Sequence, residues 1–285
     1  MTHTHTSHHG HHQQRGTDSG QAEILDLDAE VLAEHIAAIT EWLPLKTGPH
    51  QILDLASGTG AGTFALLDRF PEAHVIAVDA SPGHLQRLWE KACARGDDDR
   101  VRTVQADLDD VTWPDLGTPD LVWASASMHH MADPDHALRT VHDLLAPGGL
   151  FAVVELAGFP RFLPETAPED RPGLEERAHA VTDRFHAEHV PHRGADWGPM
   201  LSAAGFTVEG DLTLAVDIDG SRNTAIGRYA LSALRRIRSA AAAGLAAEDL
   251  AALDRLLDTS SPHSILHRDD LAVRTERTVW AARRN

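Results

Sequence analysis

The chain has 285 residues, enough for one domain with a substantial core, and 43 acidic against 25 basic side chains give a formal charge of -18. That field disfavours phosphate backbones and anionic membrane surfaces, so neither nucleic acid nor membrane is an expected partner. Cys93 is the single cysteine, which excludes an intrachain disulfide, and no stretch approaches the ~20 apolar residues of a membrane span. With no signal-peptide pattern at the start, the expectation is a cytoplasmic protein, monomeric or homodimeric.

Residues 1–20 hold six histidines among Thr, Ser, Gly and Gln, a composition too polar to offset ordering entropy, and are expected to be a disordered tail. Histidine content alone is not metal geometry, and no metal site is assigned. Residues 21–285 read as one domain. Asp28 is expected to cap a helix whose apolar stripe is Val31, Leu32, Ile36, Ile39 and Leu43, so that 21–48 form a helical lid. Strand and helix signals then alternate. Strands are expected at Ile52–Leu55, Val75–Val78, Val101–Gln105, Leu121–Ser125 and Leu150–Glu155, and helices at Thr63–Arg69, Pro82–Arg95 and Asp135–Leu145. Such alternation implies right-handed crossovers and a parallel sheet covered on both faces.

After Glu155 the alternation breaks. Residues 157–193 and 220–270 read as helical cap insertions, separated by a helix at Trp197–Ala204 and a strand at Phe206–Val216. Thr275–Ala282 alternates like a final strand, more exposed than the central ones. The basic run Arg235-Arg236-x-Arg238 reads as a solvated helix face.

The first strand leads into Ala56-Ser57-Gly58-Thr59-Gly60-Ala61-Gly62 and a helix, a turn that exposes backbone N–H groups to a ligand. Asp79 ends the second strand, where a carboxylate accepts hydrogen bonds from ribose hydroxyls, and Asp107 ends the third, within reach of an adenine amino group. Together with Asp120-Leu121-Val122 and Leu145-Ala146-Pro147-Gly148-Gly149, these segments resemble the class I S-adenosylmethionine-dependent methyltransferases over roughly residues 50–156. The resemblance implies an α/β, Rossmann-like, seven-stranded, mostly parallel sheet with helices on both faces and an antiparallel last strand. It implies S-adenosyl-L-methionine as cofactor, with Asp54, Ala56, Gly58 and Gly60 at its methionine end and Asp79 and Ala80 at the ribose. Asp107 and Leu108 would meet the adenine, and Ser125 would floor the reacting centre. Ala56 departs from the pattern, standing where the family usually has its first glycine.

Methyl transfer to a hydroxyl, indole or ammonium needs a base, and histidine suits neutral pH. Candidates are His129 after the fourth strand, His192 in the cap and Tyr229, the sole tyrosine. His186 and His189, with Trp197, are the candidate acceptor-binding residues. The cap implies an enclosed cavity for a small molecule, and the leading expectation is an aromatic secondary metabolite of indole or phenol type. A noncatalytic cofactor-binding module and, on the glycine turn alone, an NAD-dependent oxidoreductase are the rival readings. The glycines at 58, 60 and 62, rather than Gly-x-Gly-x-x-Gly, argue against the latter.

Overall fold

The computed structural model describes residues 9–285, with 9–19 described by backbone alone. The first eight residues of the expected tail therefore lie outside the described residues. From His9 onward the backbone is helical, in α1 (His9–Val31), so Asp28 lies in the last turn of a helix rather than capping one. The second half of α1 is held by burial of Ala22, Leu27 and Val31. A break at Leu32 leads into α2 (Ala33–Trp42).

Five parallel strands follow with their crossover helices: β1 (Gln51–Leu55), α3 (Ala61–Arg69), β2 (His74–Asp79), α4 (Pro82–Arg95), β3 (Val101–Gln105), β4 (Leu121–Ser125), α5 (Pro134–Leu144) and β5 (Leu150–Leu156). The helix starts are chemically plain. Ser81 accepts the His84 N–H at the head of α4, Asp133 accepts that of His136 at the head of α5, and each cap is followed by a proline. The cap helices are α6 (Leu174–His189), α7 (Gly198–Ala203), α8 (Ala225–Ala240) and α9 (Ala247–Leu257), with β6 (Phe206–Asp219) between α7 and α8 and β7 (Ala272–Arg284) closing the chain.

The sheet order is β3-β2-β1-β4-β5-β7-β6. Strand order reverses at β1, whose neighbours are β2 on one side and β4 on the other. An open α/β sheet parts its crossover helices at such a reversal and leaves a crevice beyond the strand carboxyl ends. β7 runs antiparallel to both β5 and β6, as the resemblance implies. Over Thr275–Ala282 it mixes exposed, half-buried and buried positions where β1, β4 and β5 are almost wholly buried, so it is more exposed than the central strands, as expected. Its second half, Val279 to Ala282, is buried in the apolar clusters on the two faces of the sheet. β6 is the edge, with alternating exposure and a bulge between Val208 and Gly210.

Apolar clusters occupy both faces of the sheet, and a third lies under the cap, where Leu27 and Val31 of α1 meet Ile226 and Tyr229 of α8. Trp197 belongs to the sheet-face cluster with Leu201, Phe206 and Trp280 and is fully buried. It is therefore a core residue and borders no acceptor cavity. Trp197→Ala is expected to destabilise the fold by about 3–5 kcal/mol, the cost of emptying a large aromatic site. Chemical denaturation of the purified variant checks this.

Candidate functional site

The turn after β1 uses its small residues for different physical reasons. Gly58 lies at φ +54°, borders a cavity of ≈ 90 Å³, and donates its N–H to Asp79 Oδ2 at 2.8 Å. Gly60 lies at φ +97° and heads α3. A Cβ there would sit 2.6 Å from Phe64 Cε2 and 2.9 Å from Leu88 Cγ, so its space is filled from within the protein. Gly62 yields to Trp123, whose Nε1 would be 2.4 Å from an added Cβ. Ala56 holds φ +50°, a left-handed conformation that costs a non-glycine residue roughly 1–2 kcal/mol. Such strain at a ligand-facing turn is characteristic of functional sites.

Asp54, buried at 2 % exposure, also borders this cavity and accepts the Thr63 hydroxyl at 2.6 Å. Burial raises its pKa from 3.8 to about 7, against the Thr63 hydrogen bonds, with Asp79 adding to the rise. Asp79 lies nearby and behaves oppositely. Burial raises its pKa, but His84 and the N–H groups of Ser81 and Gly58 outweigh that and hold it below the usual value. Three of its roughly four acceptor positions are therefore engaged.

Asp107 lies just beyond the β2–β3 pairing of Asp79 with Gln105, on the same carboxyl edge. It is exposed and accepts the Asp109 N–H at 3.0 Å. Leu108 is buried beside it, its carbonyl taking the Trp113 indole N–H at 3.1 Å, while Ala80 is exposed and its carbonyl takes the Gln105 amide. Ser125 and Ala56 line the small cavity.

α1 forms the roof. Asp26 pairs with both Lys91 and Arg87 of α4, and Lys91 donates to the Thr59 carbonyl at 2.9 Å. The Leu25 side chain lies 3.1 Å from where a Gly58 Cβ would be.

A second cavity of ≈ 420 Å³ adjoins the first, sharing Leu25, Asp28, Ala126 and Arg277 as lining residues. His129 borders it from the short helical turn Met128–His130 after β4. Both oxygens of Glu155 hold His129: Oε2 lies 2.5 Å from Nδ1, and Oε1 accepts the backbone N–H at 3.2 Å. Because β4 and β5 pair through Ser125 and Val154, Glu155 is brought directly beneath the β4 turn. A carboxylate at Nδ1 assigns the ring proton to that nitrogen and leaves Nε2 to accept another. His130 also borders the cavity; burial, then its neighbour His129, lower its pKa to about 4, so it is neutral at pH 7.

The other candidates separate. His186 lines the cavity. His189 is exposed and stacks on Phe185, and His192 lies 6.2 Å from the Trp197 ring, outside both cavities. His186 and His189 share a face of α6 and both touch Phe185, but only His186 is among the cavity's lining residues. Tyr229 lines the cavity, but its hydroxyl donates to Asp28, and burial raises its pKa well above the ordinary value. It stands as a neutral donor, not a base.

Three important groups were absent from the sequence reading. Glu155 was legible only as the end of a strand, Arg193 as one of many cap charges, and Arg277 as a residue of an exposed strand. Among the described residues, no group of three or more His, Cys, Asp or Glu is placed to hold a metal.

A family profile described as a methyltransferase domain matches residues 53–151. The chain is 33 % identical over 170 residues to a malonyl-[acyl-carrier protein] O-methyltransferase of Halorhodospira halophila, covering 58 % of this chain and 54 % of that one. It is 38 % identical over 119 residues to a demethylmenaquinone methyltransferase of Thermus thermophilus, covering 42 % and 53 %. A trans-aconitate 2-methyltransferase of Methylobacterium radiotolerans is 40 % identical over 113 residues, 39 % of each chain. The chain thus spans about half the length of the first two relatives. In fold it is similar to the YcgJ protein of Bacillus subtilis, with TM-score 0.53 and 19 % identity over 88 % of this chain and 99 % of that one.

The raised pKa of Asp54 predicts a pH signature for the ligand-free chain. Its contribution is fully favourable below the unfolded value near 3.8 and is lost as pH rises through about 7. Asp54→Asn should therefore gain stability over the parent from pH 4 upward, reaching about 4 kcal/mol at pH 8. Paired unfolding curves at pH 5 and pH 8 measure the difference, and parallel curves would contradict it.

Proposed function

We propose that the chain is a class I S-adenosylmethionine-dependent methyltransferase, a reading supported by its similarity to a methyltransferase-domain profile and to methyltransferase relatives, and that it methylates a small acceptor held in the ≈ 420 Å³ cavity. The observation that carries this reading is the buried His129–Glu155 pair at the cavity wall.

The residues of the smaller cavity suit the cofactor. The bare turn at Gly58 offers backbone and the Asp54 carboxyl suits an ammonium group; Asp79, outside the cavity lining but bonded to the Gly58 N–H, retains one acceptor position for a ribose hydroxyl. The Ser57 hydroxyl is buried without a partner among the described residues at the same turn. When bound, S-adenosylmethionine supplies a methyl group on a positively charged sulfur, displaced in line by a nucleophile.

This chain's residues do the rest. Leu25, Ile24 and Phe159 line the acceptor cavity with apolar surface suited to a ring, which supports an aromatic, indole- or phenol-like acceptor. His129 Nε2 takes the proton of the acceptor's hydroxyl or ring N–H, and the Glu155 carboxylate stabilises the imidazolium that results. The named acceptors of the relatives range from a quinone precursor to carboxylic acids, so they support methyl transfer without fixing the acceptor. The net charge of -18 supports a small molecule over nucleic acid or an anionic membrane.

Calorimetry with S-adenosylmethionine and with NAD tests the reading first, and tighter binding of NAD would overturn it. Labelled-methyl uptake across aromatic, carboxylic and protein acceptors tests it second; cofactor binding with no uptake would favour a noncatalytic module. Asp79→Ala should weaken cofactor binding by about 1–3 kcal/mol through loss of a charge-assisted contact. His129→Gln should lower kcat by about 10²–10⁴-fold while cofactor affinity holds, and an unchanged kcat would remove the histidine from the chemistry.

A further inference from the structure

The acceptor cavity is cationic inside an anionic protein. Arg193, Arg236 and Arg277 line it, and among the described residues Asp28 is the one acid that does. Asp28 is already engaged, by the Tyr229 hydroxyl and by Arg277 Nη2 at 2.9 Å. Two guanidinium nitrogens are left buried without a partner among the described residues. Arg277 is buried at 8 % exposure and its Nη1 has no hydrogen-bond partner; Arg193 Nη2 is likewise buried and unpartnered. Arg193 is fixed in place by its guanidinium lying 3.6 Å over the Phe159 ring. Arg193 and Arg277 line the same cavity, and burial lowers the pKa of Arg193, against Asp183 and Glu155, with the Arg277 charge lowering it further. Arg236 stands exposed at the cavity wall, so the basic run of α8 is not wholly a solvated face.

A buried guanidinium N–H without an acceptor is costly, and two like charges facing one space add repulsion. An oxyanion relieves both. A carboxylate accepts two parallel N–H bonds from a guanidinium and neutralises it, which neither an alcohol nor an amide does. Arg277 also lies where the two cavities meet, beside Ala126, and would otherwise present one cation to another across that boundary.

Resting on the methyltransferase reading above, we propose that the acceptor is a carboxylic acid whose carboxylate is held by Arg277 and Arg193, with its nucleophilic hydroxyl or ring N–H presented to His129. The acid group anchors and the other group reacts. The carboxylate keeps its charge throughout; the nucleophile gains the methyl carbon and loses its proton to His129 Nε2.

The test uses matched probes: 4-hydroxybenzoate with 4-hydroxybenzamide, and indole-3-acetate with indole-3-acetamide. Binding is measured by calorimetry on the full chain saturated with S-adenosylhomocysteine, so no turnover is required. In at least one pair the acid is expected to bind at least tenfold more tightly than its amide. That preference should fall at least tenfold in Arg193→Gln and in Arg277→Gln, and persist in Arg238→Gln, whose side chain pairs with Asp254 on the surface. Because Arg277→Gln also removes a partner of Asp28 and threatens the fold, Arg193→Gln is the deciding variant. Equal or tighter binding of both amides, no binding by any probe, or a preference that survives Arg193→Gln overturns the proposal. Labelled-methyl uptake is read separately. Acids that bind through the arginines yet take up no methyl leave the anchor standing and sink the methyltransferase reading. Methyl esters in place of ethers or N-methyl products overturn the anchor.

Discussion

The carboxylate of Asp28 joins three parts of the chain that are far apart in sequence. It accepts from Tyr229 in α8 and from Arg277 in β7, across 201 and 249 residues. Through that one group the first helix, the cap and the closing strand become walls of the same space. The glycine turn, the small cavity beside it and the larger cavity beyond all depend on α1 lying where this network and the Asp26 ion pairs hold it. Remove the carboxylate and a buried guanidinium and phenol lose their common acceptor, at a cost of several kcal/mol.

Much of the scaffold was legible because local chemistry and tertiary structure agree there. Pro82–Arg95, Val101–Gln105 and Leu121–Ser125 sit at the bounds that apolar periodicity and capping residues assign them. The sequence misled where burial comes from outside the segment. Nothing in Thr275–Ala282 announces that β6 will extend the sheet beyond it, although the greater exposure of β7 than of the central strands was legible in its alternation. The polar start of α1 concealed a helix whose support lies in α8. For the same reason Asp28 resembled a cap.

The site divided along a similar line. Asp54, Gly58 and Ser125 lie beside the small cavity because a strand–turn–helix unit fixes them locally. The buried His129–Glu155 pair is assembled from the turn after β4 and the end of β5, and no spacing along the chain predicts it; only the β4–β5 register does. Helical spacing rightly grouped His186 with His189 on one face of α6, where both touch Phe185, but the cavity reaches only His186. The glycines repay the same scrutiny. Gly60 and Gly62 are required by Phe64, Leu88 and Trp123, and Ala56 accepts a conformation usually left to glycine.

Since Leu25 and Asp28 line both cavities, the two compartments have a party wall. Whatever settles the wall from one side settles it for the occupant of the other, and linkage makes that influence equal in both directions. Under the proposed reading, an occupant that steadies the wall from one cavity strengthens binding in the other by the same factor, so the two ligands would bind with coupled affinities.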